Sequence, residues 1–200
     1  MNYKCQKIAL FPTLVFSVED FLSKEQCKNI ARYIKNKELG QHSAIIGDGA
    51  TTYHSKETEL LQEISNNVTG CENVYSTLNE VISQYSSDSG IEVLKGIDNS
   101  WTNIQNVGSV LAEHTHPLST LSGAIYIHAD ANSSSINFIN PNPFVNFTNY
   151  YETRTEFSFY YYYLKPSIGQ LIIFPSWLKH GSNGAKNNTK GRTVISFNVF

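Results

Sequence analysis

The chain has 200 residues, of which 40% are hydrophobic and 12% aromatic, with a formal net charge of −2 at pH 7. This length fits one domain, and the apolar content excludes an intrinsically disordered chain. A near-neutral charge gives no electrostatic footprint for binding nucleic acid or an anionic membrane, so neither partner is expected.

The N-terminal part of the chain predicts one strand followed by a capped helix. Residues 8–16 alternate loosely and contain Pro12, which indicates an edge strand. Ser23 followed three residues later by Gln26 is typical of a capping box at a helix start. The residues after it place an apolar stripe on one face, formed by Cys27, Ile30, Ala31 and Ile34.

Two further helices are predicted in the first half, over residues 57–66 and 72–85, each with apolar side chains at helical spacing. The stretch 40–55 between the first two helices contains three glycines and little pattern. We interpret it as a loop that could cover a site. Its histidines, His42 and His54, are either solvated surface groups or part of that cover.

The second half predicts short strands rich in Val, Ile, Tyr and Phe, separated by Gly, Pro and Asn clusters. The predicted strands are 91–97, 101–107, 109–114, 121–129, 135–140, 156–164, 169–174 and 192–200. Residues 140–155 form a long insertion without periodicity, of the kind that is often functional. The fold class expected is therefore an all-β core with a helical buttress (α+β), in a double-stranded β-helix or jelly roll. One domain spans residues 1–200, with a helix-rich part at 17–90 and the jelly-roll core at 91–200.

Two histidines share the segment EHTHP, at positions 114 and 116. On a strand, residues two apart point to the same side, so His114 and His116 can bind one metal ion together. Imidazole suits several transition metals, and the spacing alone does not name the metal. His180 follows a buried strand and a turn opened by Pro175. In a jelly roll, this late strand returns beside the early one and brings His180 to the pair.

Arg192 opens the last predicted strand. An arginine that enters the roll beside a metal is costly unless it meets a carboxylate. A bidentate clamp on a small dicarboxylic acid would satisfy it. The sequence thus predicts a metal ion and a small anion in one cavity.

This constellation resembles the Fe(II)- and 2-oxoglutarate-dependent oxygenases, in particular the small prolyl-4-hydroxylase-like families of phages and marine bacteria. The segments that carry the resemblance are IALFPTLVFSVEDFL, HTHPLSTLSGAIYI, INFINPNP, GQLIIFPSWLKHGSNG and GRTVISFNV, and they are densest over residues 101–200. The resemblance implies that His114 and His180 are metal ligands. It also implies that Arg192 and Tyr126 bind the far carboxylate of 2-oxoglutarate, with Asn103 facing the same co-substrate.

His116 stands where these families usually have a carboxylate ligand. A neutral imidazole there raises the charge of the site by one and should weaken binding of a divalent cation. Three outcomes are open: a working three-histidine iron site, a His116 that stands aside, or an inactive relative. Glu113 alternates to the other face of the strand, and Asp130 could reach the metal only with a bend.

The resemblance implies a dioxygenase that uses Fe(II), 2-oxoglutarate and O2, hydroxylates a C–H bond and releases succinate and CO2. Its substrate would be a peptide, including a prolyl residue, or a small molecule. Two residues are predicted at the substrate pocket. Trp177, in the turn before His180, could form its floor. His128 shares the parity of Tyr126 and could lie at its mouth, with a plain structural role as the alternative.

Two other classes share the jelly roll. A cupin-type metal enzyme or sugar-binding module fits Gly108 and Gly169 with their downstream histidines, but the glutamate of the first cupin motif is missing. A non-catalytic virion or structural jelly roll would bind neither metal nor 2-oxoglutarate.

The cellular setting is read from the thiols and the N-terminus. Cys5, Cys27 and Cys71 contain no C-x-x-C pair, and no signal peptide is recognised, which favours free thiols and a cytoplasmic location. Edge strands near the N-terminus could pair in a homodimer.

Overall fold

The computed structural model describes residues 4–53, 59–147 and 153–200. Within these ranges the helices are α1 (Lys24–Ile34), α2 (Leu60–Asn67) and α3 (Val74–Ser89), with a short 3-10 helix at Pro143–Asn146. The strands are β1 (Phe16–Val18), β2 (Ile45–Ile46), β3 (Gly49–Thr51), β4 (Ile97–Gln105), β5 (Val110–Leu111), β6 (Leu121–His128), β7 (Ile136–Ile139), β8 (Tyr161–Leu164), β9 (Leu171–Pro175), β10 (His180–Gly181) and β11 (Arg192–Val199).

Two antiparallel sheets form the roll. The larger sheet has the strand order β1-β9-β6-β11-β4-β3, and the smaller has the order β10-β7-β8, while β2 pairs with β5. In the larger sheet β11 lies between β6 and β4 and pairs with both along its length. This arrangement confirms the predicted jelly roll and brings the last strand of the chain beside two earlier ones.

The core has two layers. The helices pack on one face of the larger sheet, where residues such as Ile30, Ile64 and Leu78 are fully buried. A second cluster lies on the opposite face, toward the smaller sheet, and includes Tyr126, Phe138 and Phe174. Alternation along β6 and β9 supplies side chains to both layers, which explains why β9 is fully buried and β6 is buried up to its last residue. The helices are thus the buttress expected from the sequence.

Local signals placed α1 correctly. The backbone N–H of Gln26 donates to Ser23 Oγ at 3.2 Å, and the N–H of Ser23 donates back to Gln26 Oε1 at 2.9 Å. This is the predicted capping box. Cys27, Ile30 and Ile34 are buried as the stripe required. Among the described helices, none is long and apolar enough to cross a membrane.

Strand ends near the N-terminus differ from the prediction. The strand expected at 8–16 is wrong for all but its last residue. Within that stretch Phe11, before Pro12, has a left-handed backbone (φ 58°), residues 8–15 form no strand, and β1 begins at Phe16. Its edge position is confirmed, since β1 pairs only with β9 in the larger sheet. Residues 91–96 form no strand, and β4 begins at Ile97.

The strand expected at 156–164 is also shorter than predicted. A turn precedes β8, in which the N–H groups of Ser158 and Phe159 both donate to the carbonyl of Thr155. Of the insertion at 140–155, residues 148–152 lie outside the described ranges, and the described part includes the 3-10 helix. The expectation that residues 1–200 form one domain stays a prediction.

Candidate metal centre

A cavity of about 300 Å³ lies between the two sheets. His114, His116 and His180 line it together with Arg192. The stretch 40–55, interpreted as a covering loop, contributes His42 and Tyr53 to the wall, although β2 and β3 also lie within it. His54 lies outside the described residues.

The three histidines converge on one point. His114 and His180 face each other across an isolated bridge, and their backbone N–H···O bonds measure 2.9 and 3.0 Å. Each of the three histidines offers one ring nitrogen, and these atoms lie within 4.8 Å of one another. His116 Nε2 and His180 Nε2 are 3.3 Å apart. The late strand β10 therefore returns beside the segment that carries His114, as expected, although the strand predicted at 109–114 forms only at β5 and His114 meets β10 through an isolated bridge.

Hydrogen bonds at the opposite ring nitrogens orient these side chains. His114 Nδ1 contacts the carbonyl of Ala112 at 2.8 Å, and His180 Nδ1 contacts the carbonyl of Leu178 at 2.9 Å. His116 Nδ1 contacts Asn198 Oδ1 at 2.8 Å. Because each partner is an oxygen acceptor, the proton of each neutral imidazole belongs on Nδ1, and each Nε2 keeps its lone pair for a metal.

This donor set fits a divalent transition metal. Two neutral Nε2 atoms facing each other at 3.3 Å place two lone pairs together with no proton between them. A shared cation resolves this contact, because two nitrogens bound to one ion at about 2.1 Å and at right angles lie about 3 Å apart. Imidazole nitrogens are ligands that iron accepts.

The electrostatics of the cluster also favour metal binding. Burial lowers the pKa of His114 and, together with the nearby His114, lowers the pKa of His116 to about 4. The pKa of His180 lies well below its ordinary value for the same two reasons, burial first. All three rings are therefore neutral at pH 7, which is the form that binds a metal.

A glycine permits the close approach of the strands. Gly181 follows His180 in β10, and a Cβ atom on it would lie 3.0 Å from the carbonyl oxygen of Ala112 and from the backbone of Glu113. Any larger residue would push β10 away from the segment that carries His114. The geometry of the cluster thus depends on this position.

Two aromatic side chains pack against the histidines. Trp101 stacks on His116 with ring centroids 6.0 Å apart, and Phe174 meets His180 edge to face at 4.6 Å. Sequence reasoning missed both, and it also missed Asn198. For Trp101 a signal existed, since it lies two residues from Asn103 on a predicted strand and shares its face.

Arg192 is 5% exposed and lines the same cavity. Its Nη1 donates to Gln105 Oε1, and its guanidinium carbon lies 5.2 Å from the centroid of the Tyr126 ring. No carboxylate in the described part of the chain pairs with it. Because a buried and unpaired cation is costly, this arrangement favours an anionic ligand.

Tyr126 and Asn103, which the resemblance assigns to the co-substrate, lie on the cavity wall. Burial raises the pKa of Tyr126, and the adjacent Arg192 offsets part of that rise. Asn103 donates through Nδ2 to Ser196 Oγ at 3.1 Å, while its buried Oδ1 has no partner among the described residues. Both side chains can therefore contact a ligand held by Arg192.

Trp177 and His128 do not line the cavity. Trp177 is 54% exposed at the turn before β10, whereas Phe174, three residues earlier, lines the cavity. His128 is exposed at the end of β6. The register of β6 against β11 shifts between Tyr126 and His128, so the parity that linked the two residues ends there.

Neither nearby acidic residue replaces the carboxylate ligand. Glu113 pairs with Lys179 at 3.3 Å, and Asp130 accepts hydrogen bonds from Thr189 and Asn132. Neither of them lines the cavity. Among the described residues, the candidate metal cluster consists of the three histidines alone.

The jelly roll thus carries a candidate metal centre of three histidines beside a buried arginine that no described carboxylate pairs. Residues 99–198 match the sequence model of the family described as "Putative 2OG-Fe(II) oxygenase", so the chain belongs to that family. It is therefore an oxidoreductase whose cofactors are Fe(II), 2-oxoglutarate and O2, as the resemblance implied. Among curated proteins, none matches the chain.

Solved structures support the same fold. A Pseudomonas putida prolyl-4-hydroxylase aligns with a TM-score of 0.62 at 10% identity, covering 94% of this chain and 92% of that one. The viral collagen prolyl hydroxylase of Paramecium bursaria Chlorella virus-1, in complex with 2-oxoglutarate, gives 0.58 at 10% identity, covering 92% and 94%. HygX from Streptomyces hygroscopicus, with nickel and 2-oxoglutarate bound, gives 0.58 at 8% identity, covering 94% and 82%.

Proposed function

We propose that this oxygenase is a hydroxylating dioxygenase in which His114, His116 and His180 hold Fe(II). Arg192 binds the far carboxylate of 2-oxoglutarate, beside Tyr126 and Asn103. The observation that carries the proposal is the convergence of three oriented imidazoles in the cavity that also contains a buried, unpaired arginine.

The protein side chains divide the work of binding and orientation. Acceptors at the Nδ1 atoms fix the tautomer of each ring and aim its Nε2 at one point, while burial keeps the rings neutral. Trp101 and Phe174 pack against the rings and limit their rotation. Arg192 fixes the other end of the co-substrate through its charge. Iron, when bound, supplies the redox chemistry by which O2, 2-oxoglutarate and a substrate C–H bond become succinate, CO2 and an alcohol.

Of the three outcomes open for His116, the structure favours a working ligand. Its Nε2 lies 3.3 Å from that of His180, and its Nδ1 is held by Asn198. Together these contacts place the His116 ring beside His180 with its Nε2 lone pair directed into the cluster, which is the arrangement expected of a metal ligand. The site is then one unit more positive than a site with a carboxylate ligand, and weaker affinity for a divalent cation is the expected consequence.

The proposed substrate is a peptide, including a prolyl residue, or a small molecule. The structural neighbours include both kinds, since two are prolyl hydroxylases and one structure of HygX contains hygromycin B. The free cysteines, two of them buried, support a reducing compartment, and we propose a cytoplasmic location. The edge strand β1 supports the further proposal of a homodimer.

The test is succinate formation from 2-oxoglutarate in air with added Fe(II), without a primary substrate. The parent protein is expected to form succinate slowly. His180→Ala should abolish this turnover, and Arg192→Ala should raise the KM for 2-oxoglutarate. His128→Ala is the matched control, since that histidine is exposed and outside the cavity, and it should behave like the parent. Equal turnover in all four proteins would contradict the proposed site.

A further inference from the structure

Four buried polar atoms at the cavity have no hydrogen-bond partner among the described residues. They are Trp101 Nε1, Asn103 Oδ1, Gln105 Nε2 and Arg192 Nε. Three belong to β4, where alternate residues share a face, and the fourth begins β11. Unpaired buried polar atoms are rare and costly. Their concentration in one cavity points to a ligand that pairs with them.

Gln105 stands out within this set because it contacts Arg192 directly. It is 2% exposed, and its Cα lies opposite that of Arg192 in the β4–β11 ladder. Its Oε1 accepts from Arg192 Nη1, which leaves its Nε2 as the free donor. The glutamine thus orients the guanidinium through its Oε1. Its Nε2, like Arg192 Nε, is a donor without a partner among the described residues.

We propose that Gln105 is a specificity-determining residue for the co-substrate. Its Nε2 and the guanidinium of Arg192 together bind the far carboxylate of the 2-oxo acid, each offering an N–H to the carboxylate. The inference rests on the proposed function, since it concerns the far carboxylate of the 2-oxoglutarate proposed to bind beside the metal. A carboxylate has acceptor sites on both oxygens, so it can satisfy both donors at once.

The absence of charge on the Gln105 side chain is as important for ligand binding as its position beside Arg192. A carboxylate at position 105 would pair with Arg192 and remove the charge that attracts the ligand. The glutamine instead orients the guanidinium and leaves its charge uncompensated. A 2-oxo acid without the far carboxylate would leave this charge and both donors unpaired, so the site should discriminate strongly against it.

The experiment compares two ligands on Ni(II)-loaded protein, in which no turnover occurs. Calorimetry measures the Kd of 2-oxoglutarate and of 2-oxopentanoate, which has the same carbon chain without the far carboxylate. The parent should prefer 2-oxoglutarate by about 100-fold or more. Gln105→Glu should lose most of that preference, and Gln105→Met should weaken 2-oxoglutarate binding about tenfold, the effect of one hydrogen bond to a charged group.

Gln170→Met is the matched control. Gln170 is also buried, but it bonds to Ser17 and does not line the cavity, so its replacement should leave both Kd values unchanged. Ni(II) affinity should be equal in all variants, because Gln105 and Gln170 are not among the three histidines of the metal cluster.

The outcomes separate the inference from the proposed function. If the parent binds 2-oxoglutarate and both Gln105 variants bind it equally well, the role of Gln105 is wrong and the proposed function stands. If the parent binds no 2-oxoglutarate, the proposed function itself fails. If Gln105→Glu does not fold, Gln105→Met decides: a tenfold loss supports the inference, and a Kd like that of the parent overturns it.

Discussion

Replacing Asn198 by leucine should weaken metal binding although Asn198 is not a metal ligand. Its Oδ1 accepts hydrogen bonds from His116 Nδ1 and from Ser122 Oγ, each at 2.8 Å. Its Nδ2 donates to Asn99 Oδ1 at 3.0 Å, which fixes the orientation of the amide. Leucine has a similar volume and no acceptor. His116 would then lose the contact that keeps its proton on Nδ1 and its Nε2 free.

The size of the effect follows from these contacts. Loss of an outer hydrogen-bond partner of a metal-binding histidine usually costs 10- to 100-fold in metal affinity. We expect a loss of about this size for Asn198→Leu. Each buried donor left without an acceptor also costs about 1–3 kcal/mol of folding free energy. The assay is competition between the protein and a metal-binding dye for Co(II), with urea unfolding to confirm that the variant is folded.

Ser122→Ala is the control, because it removes the other hydrogen bond to the same Oδ1 and leaves the contact with His116 in place. It should change metal affinity by less than about threefold, against the 10- to 100-fold expected for loss of the histidine contact. A folded Asn198→Leu protein with the metal affinity of the parent would refute the reasoning. It would mean either that His116 is no ligand or that its orientation does not depend on Asn198.

Three further predictions concern the framework of the fold. Gly181→Ala should destabilise the protein by about 1–3 kcal/mol in urea unfolding and weaken metal binding, since its Cβ would press on backbone atoms 3.0 Å away; unchanged values would contradict the close approach. Burial raises the pKa of Tyr85 to about 12. The stabilisation from its protonated hydroxyl should therefore be complete below pH 10 and be lost as the pH rises from 10 to 12. Urea unfolding across this range should show the loss in the parent, and the same loss in Tyr85→Phe would contradict the assignment. Only Cys5 should react with a thiol reagent in the native protein, because Cys27 and Cys71 are buried and burial raises the pKa of Cys27 to about 11. Rapid labelling of all three cysteines in the folded protein would disprove this.

Features that depend on short stretches of sequence were predictable. The capping box of α1 requires only Ser23 and Gln26, and it forms as expected. His114 and His116 share a side because of their spacing, and a jelly roll returns His180 to them. Arg192 could be assigned because a buried cation requires a counter-charge. The capping box and the histidine pair are local constraints, whereas the position of His180 follows from the predicted jelly roll as a whole.

Features that depend on pairing register were not predictable. Gln105 and Asn198 reach the site because β4 and β11 pair in one particular register, which no local pattern specifies. The register shift before His128 arises in the pairing of β6 with β11, and Trp177 is exposed in the turn between β9 and β10; no local pattern specifies either feature. The ends of β1 and β8 were missed for a local reason, since an irregular backbone precedes each strand, with a positive φ at Phe11 and a turn at Thr155.

The central claim is that three histidines and a buried arginine hold Fe(II) and 2-oxoglutarate together. Its most direct test is an anaerobic titration of the metal-free protein with Fe(II) and then 2-oxoglutarate, followed by visible absorption. A weak charge-transfer band should appear only when both are present, should be absent in His180→Ala, and should require more 2-oxoglutarate in Arg192→Ala. A folded parent protein that gives no band with both additions would contradict the account.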